Sequence, residues 1–247
     1  MKLVARWRPL LAIAATVLGV AAASLAGAAP ASATPSGGLP GIDVSHYQGS
    51  INWTSVKSAG KQFAYIKATE GTSTIDAQFG SNYPNAYYAG LVRGAYHFAR
   101  FASSSGAAQA DYFKAHGGGW SADGKTLPGM LDLEASCSGY SHASIVSWIS
   151  SFVNEYHSLT GRWAVLYTSP SWWSTCTGGS SAFAANDPLY VAHYTSASSP
   201  TIPAGFSFYT FWQWSSSGSV SGISGAVDLD VFNGSAARLT ALANNTA

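Results

Sequence analysis

Leu131-Asp132-Leu133-Glu134 sets two carboxylates two residues apart in an apolar stretch. In an extended strand, residues i and i+2 face the same side. Asp132 and Glu134 therefore share one face, and Leu131 and Leu133 the other. Like charges close together in apolar surroundings raise one another's pKa, so the pair keeps a proton near neutral pH. A protonated carboxyl beside an ionised one is the equipment for general acid catalysis of glycoside cleavage. Taken alone, an Asp-x-Glu is more often a strand whose acids face solvent or basic partners. The remaining acids change that balance. They recur at or near the carboxyl ends of expected strands: Asp43, Glu70, the Asp132–Glu134 pair and Asp228. These five belong to a total of only 11 acidic residues, and a purely solvating role would scatter them through helices and loops.

The elements that must position these acids follow from pattern. Strands are expected at Pro40–Ser45, Phe63–Thr69, Val92–Arg100, Leu127–Ala135, Trp163–Thr168, Pro188–Tyr194, Phe206–Trp214 and Ala226–Phe232. Helices are expected at Trp53–Ala59, over 76–89 with a break or kink at Pro84, and at Ser105–His116, stopped by three glycines. The clearest helix is Ser141–Leu159, where Ile145, Val146, Ile149, Phe152, Val153, Tyr156 and Leu159 recur with helical period. Ser235–Ala243 closes the chain. Strands alternate with helices through the first five units, then follow one another with little helix between. This predicts an α/β fold: a single irregular TIM-like (β/α) barrel of eight strands, with helices missing between the last strands, some of which run antiparallel. In such a barrel the carboxyl ends of the strands gather at one face, where chemistry is placed. Tyr65, Tyr96, Tyr167, Tyr194 and Trp212 fall on these strands and are candidates to line a sugar-binding groove; core packing is the alternative for each. Glu70 either binds a sugar or bonds to a neighbouring strand. His97 and His193 read as satisfied groups lining the barrel, and Lys67 as a partner for one of the acids.

Residues Met1–Ala33 read as a secretory signal. Lys2, Arg6 and Arg8 precede an apolar run from Leu10 to about Ala26, and Ala31-Ser32-Ala33 has the small-x-small pattern of a cleavage site. The alternative is a retained membrane anchor. Thr34–Leu39 is expected to be a flexible leader, and residues 40–247 one catalytic barrel. Without the three cations of the leader, nine Lys and Arg face 11 Asp and Glu, a formal charge of −2. No basic stripe remains to hold nucleic acid. A surface rich in Ser, Gly, Tyr and Trp suits neutral sugar ligands. The two cysteines, Cys137 and Cys176, are expected to form a disulfide if the protein is exported; two free thiols are the alternative. No metal site is expected. No interface helix stands out, so the protein is expected to be a monomer without stable membrane association.

Six segments together carry a family resemblance: Gly41-Ile42-Asp43-Val44-Ser45-His46-Tyr47-Gln48-Gly49, Tyr65-Ile66-Lys67-Ala68-Thr69-Glu70-Gly71, Gly94-Ala95-Tyr96-His97-Phe98, Leu131-Asp132-Leu133-Glu134, Phe211-Trp212-Gln213-Trp214-Ser215 and Gly225-Ala226-Val227-Asp228-Leu229-Asp230-Val231-Phe232. Their order and content resemble glycoside hydrolase family 25, the Chalaropsis-type lysozymes or N-acetylmuramidases, over essentially all of Pro40–Gly234. Two positions depart from the family pattern: Thr74 stands where an aromatic is usual, and Asp230 where Asn is common. The resemblance implies an irregular α/β barrel, no cofactor, and cleavage of the β-1,4 bond between N-acetylmuramic acid and N-acetylglucosamine in peptidoglycan glycan strands. It implies that Glu134 is the general acid/base and that Asp132 orients the substrate's 2-acetamido group. Asp43 and Asp228 are supporting carboxylates, or Asp43 the direct participant. Two rivals remain: a sugar-binding module without catalysis, and a chitinase-like hydrolase, whose Asp-x-Asp-x-Glu ladder lacks its first acid here because Met130 stands two residues before Asp132.

Overall fold

The computed structural model describes residue 35 and residues 37–246; the expected signal, Met1–Ala33, lies outside the described residues. Nine strands form one sheet. β1 (Leu39–Val44), β2 (Phe63–Glu70), β4 (Val92–Phe98), β5 (Met130–Asp132), β6 (Val165–Thr168), β7 (Leu189–Ala192), β8 (Phe211–Gly218) and β9 (Val227–Phe232) close into an eight-stranded barrel, because β1 pairs with both β9 and β2. The two-residue β3 (Thr74–Ile75) only extends β2 as a hairpin, outside the ring. Neighbours from β1 through β2 to β8 run parallel, whereas β9 is antiparallel to both β8 and β1. Leu39, assigned by the sequence to the leader, pairs with Phe232 as the first residue of β1.

The barrel interior is aromatic. Phe63, Tyr65, Tyr190 and Phe211 pack edge to face, tilted or, for Tyr190 on Phe211, stacked at its centre, with ring centroids 5.1–5.7 Å apart. Outside, α3 (Gly106–Phe113) and α4 (His142–Thr160) cover β4 and β5 through Phe113, Ile145, Ile149, Phe152 and Tyr156. The alternation Leu131-Asp132-Leu133 sends both leucines into this helix-facing layer and Asp132 inward. α4 starts on the Ser141 hydroxyl, which accepts from the Ser144 amide, and stops at Gly161 in the left-handed conformation.

Three expectations change. α2 (Phe79–Tyr88) runs through Pro84 without breaking, because Phe79, Tyr83 and Ala86 hold its inner face on the barrel. A helix, α5 (Pro170–Thr177), lies between β6 and β7 where little helix was expected; Ser169 caps it, Pro170 opens it and Gly178 ends it. The segment expected to be the seventh strand from Phe206 pairs only from Phe211, five residues later. α1 (Trp53–Ser58) and α6 (Ala236–Asn244) match expectation to within a residue.

Candidate active site

Asp43, Asp132, Glu134 and Asp228 converge on one pit of about 260 Å³ at the carboxyl-end mouth of the barrel. Asp43 and Asp228 are cross-strand partners on β1 and β9, and Asp132 ends β5. Glu134 lies two residues past the end of β5, yet its backbone is pinned on either side. The Leu133 amide donates to Tyr167 O (2.9 Å), the Thr168 hydroxyl to Leu133 O (3.2 Å), and the Trp172 indole to Ala135 O (2.7 Å). Glu134, Tyr167 and Tyr194 also line an adjoining groove of about 1220 Å³ that passes over the Cys137–Cys176 bond. Glu134 thus stands where pit and groove meet.

Burial dominates the electrostatics. Asp43 (7% exposed) and Asp132 (6%) are pushed well above the usual carboxylate range, chiefly by burial. For Asp43, the charges of Asp230 and Asp228 add to it; for Asp132, the charge of Glu134 does. Burial raises Glu134, opposed by the Lys67 ammonium, and lifts Asp228 to about 6. Asp132 Oδ1 is buried and has no hydrogen-bond partner among the described residues. Such an acceptor is costly to leave unmet, which fits one reserved for a donor on a ligand.

The aromatic candidates divide. Tyr96, Tyr167 and Tyr194 line the pit. Tyr65 does not: it is fully buried, and its hydroxyl donates to Pro128 O (3.0 Å) deep in the barrel. Trp212 does not either. Strand alternation turns it outward with Trp214 against Val191 and Val231, and its indole donates to His193 O (2.8 Å). The inward residue is its neighbour Gln213, which sequence reasoning passed over. The Gln213 amide donates to Asp43 Oδ2 (2.6 Å), and its oxygen accepts from the Tyr167 (2.8 Å) and Tyr194 (2.6 Å) hydroxyls. Lys67 lines the pit and pairs, as expected, with one of the strand-end acids, Glu70 (2.6 Å). Glu70 also takes Arg100; these bonds outweigh burial and hold its pKa below the usual range. Glu70 is therefore committed to an ion-pair cluster at the strand end, away from the pit lining. His97 does not line the barrel: it faces the helices, bonded to Thr69 and Gln109, and burial pushes it down to about 4. His193 sits at the groove, its Nδ1 accepting from the Thr201 amide.

This geometry meets its counterpart in known proteins. The profile of Glycosyl hydrolases family 25 matches residues 42–223. The chain belongs to this family. It is accordingly a glycoside hydrolase. Over 215 residues it is 59% identical to Lysozyme M1 of Streptomyces globisporus, covering 85% of this chain and 73% of that protein. It is 50% identical over 202 residues to the N,O-diacetylmuramidase of a Chalaropsis species, covering 77% and 96%. Among solved structures, the bacterial lysozyme from Streptomyces coelicolor superposes with a TM-score of 0.83 at 58% identity, covering 86% of this chain and 100% of that one. The family 25 fold thus accounts for the closed sheet.

Proposed function

We propose that this chain is a secreted muramidase that hydrolyses the β-1,4 bond between N-acetylmuramic acid and N-acetylglucosamine in peptidoglycan. The observation that carries the reading is the convergence of Asp132, Glu134, Asp43 and Asp228 at a junction of pit and groove, where sugars can lie on both sides of Glu134. Its similarity to lysozymes and muramidases supports the substrate.

Asp132 and Glu134 titrate as a pair and keep one proton between them. The substrate's acetamido N–H donates to the open Asp132 oxygen, which favours the ionised form there; the shared proton then belongs on Glu134. Glu134 gives it to the glycosidic oxygen as the bond to the anomeric carbon breaks. Asp132 lies two residues from the acid, too near to attack from the opposite face. The substrate's own acetamide oxygen therefore closes on the anomeric carbon, and water, deprotonated by Glu134, opens the ring with net retention. Asp43, held by Gln213, and Asp228 supply negative potential beside the oxocarbenium-like centre. The disulfide and the leader sequence of residues 1–33 support export.

Purified peptidoglycan treated with the wild-type protein should release fragments with reducing-end muramic acid, identified by mass spectrometry. Glu134→Gln should lower the rate by about 10² to 10⁴. Reducing-end glucosamine would overturn the bond assignment, and inversion at the anomeric carbon, followed by NMR, would overturn substrate assistance. Sequencing of the protein recovered from the medium should find Thr34 at its amino terminus.

A further inference from the structure

A second cavity, of about 670 Å³, opens at the opposite end of the barrel. Topology fixes its place. Pro188 leads into β7, Thr210 leads into β8, and Phe232 ends the antiparallel β9, so all three lie at the amino end of the parallel strands. The volume falls within the range of small-molecule sites. Leu189, Phe206 and Phe232 supply apolar wall, and Phe208 stands in the lining with 64% of its surface exposed.

Two polar groups in this lining have no use within the fold. Asp187 is 5% exposed, and its Oδ1 is buried with no hydrogen-bond partner among the described residues. Burial pushes its pKa up to about 8. Near neutral pH the carboxyl is uncharged and both donates and accepts a hydrogen bond. An acid placed there for stability alone would have been paired, since an unmet buried polar group costs free energy. The other group is Arg238 on α6. It is exposed and makes no ion pair among the described residues. Its planar fork is suited to a carboxylate. The cavity therefore offers an aromatic face, a buried neutral hydrogen-bonding acid and a cation for an anion.

We propose that this cavity is a second glycan site that takes an N-acetylmuramic acid unit, with the pyranose face on Phe208, the acetamido group at Asp187 and the lactyl carboxylate on Arg238. The assignment deepens the reading of the chain as a muramidase and rests on it. The carboxylate is what selects the occupant: N-acetylglucosamine matches the aromatic face and the acid but leaves Arg238 unmet. Muramic acid units without their stem peptide present this free carboxylate on the wall, so a site opposite the catalytic mouth adds a second attachment at such units. That raises the effective concentration of enzyme on the polymer without altering the chemistry.

Isotope-labelled protein would be titrated with N-acetylmuramic acid and, separately, with N-acetylglucosamine, following amide signals at both ends of the barrel by NMR. Saturable shifts are expected at Asp187, Leu189, Arg238 and Leu242, with N-acetylmuramic acid bound about ten-fold more tightly. Arg238→Gln should remove that preference, and Phe208→Ala should weaken both sugars; both positions are exposed, and an unchanged melting midpoint checks that each variant folds. No saturable shift at the amino end overturns the site. Equal binding of the two sugars overturns the carboxylate assignment. Failure of the muramidase reading has a different signature, the absence of muramic acid ends in the wall digest, and the two failures are told apart.

Discussion

Gln213 ties the acids to the aromatics at the scale of single residues. Two tyrosine hydroxyls fix its oxygen, so its NH₂ is aimed at Asp43 at 2.6 Å. Burial raises Asp43, the charges of Asp230 and Asp228 raise it further, and the Gln213 bond opposes them by favouring the ionised form. Gln213→Leu removes that donor at similar volume. The pKa of Asp43 then rises, so the acid limb of kcat/KM against pH should move to higher pH. The maximal rate should fall about 10- to 100-fold, the cost of roughly one charged hydrogen bond. A uniform loss with the limb unmoved would mean that Gln213 only packs. The sequence had signalled this residue: Phe211-Trp212-Gln213-Trp214 alternates, and only one of Trp212 and Gln213 can face inward.

Helices and strands set how firmly Glu134 is held, because it lies beyond β5 on the loop that Cys137 anchors to Cys176 of α5. The Cα atoms are 5.8 Å apart and the bond closes 39 residues of chain. On the chain-entropy account, replacing both cysteines with serine should lower unfolding stability by about 4 kcal/mol, read from denaturant melts. Activity at room temperature should fall less than stability, since the bonds from Trp172, Tyr167 and Thr168 still grip that loop. Elements with strong local signals were legible in the sequence, among them α4 with its helical period, Ser141 cap and Gly161 stop. So was the order of strands around the barrel. Less legible was whatever tertiary contacts decide. Pro84 is tolerated because Phe79 and Tyr83 pack on the barrel. β8 begins late because Phe206 is drawn under Trp173, with ring centroids 5.3 Å apart. α5 carried its Ser-Pro start and Gly stop in plain view but was too short for a periodic signal. In the site, the acids could be read from their recurrence at strand ends. The depth to which Tyr65 sinks could not, because alternation gives a side and not a height.

Viewed as a whole, the molecule keeps several carboxyl groups where water is scarce, and this fixes how its stability depends on pH. Asp43, Asp132 and Asp230 are buried with pKa values well above the usual range, Glu134 is raised, and Asp228 is raised to about 6. An acid whose folded pKa exceeds its unfolded one binds more protons when folded. Its contribution is complete below about pH 4 and is lost as pH rises through the folded value. His97 acts in the opposite sense: lowered from 6.5 to about 4, its contribution is complete above 6.5 and lost as pH falls through 4. With Asp187, raised to about 8, six raised acids outweigh one lowered histidine, so the melting midpoint at fixed ionic strength should be higher at pH 5 than at pH 8. Asp230 allows a sharper test. It is fully buried, and neither carboxylate oxygen has a partner among the described residues. Asp230→Asn keeps the shape and removes the ionisation. It should stabilise the protein by about 1–3 kcal/mol at pH 8 and change little at pH 5. The difference in melting midpoint between the two pH values should shrink. An undiminished difference would place the pH dependence in the other acids and leave Asp230 neutral throughout the range.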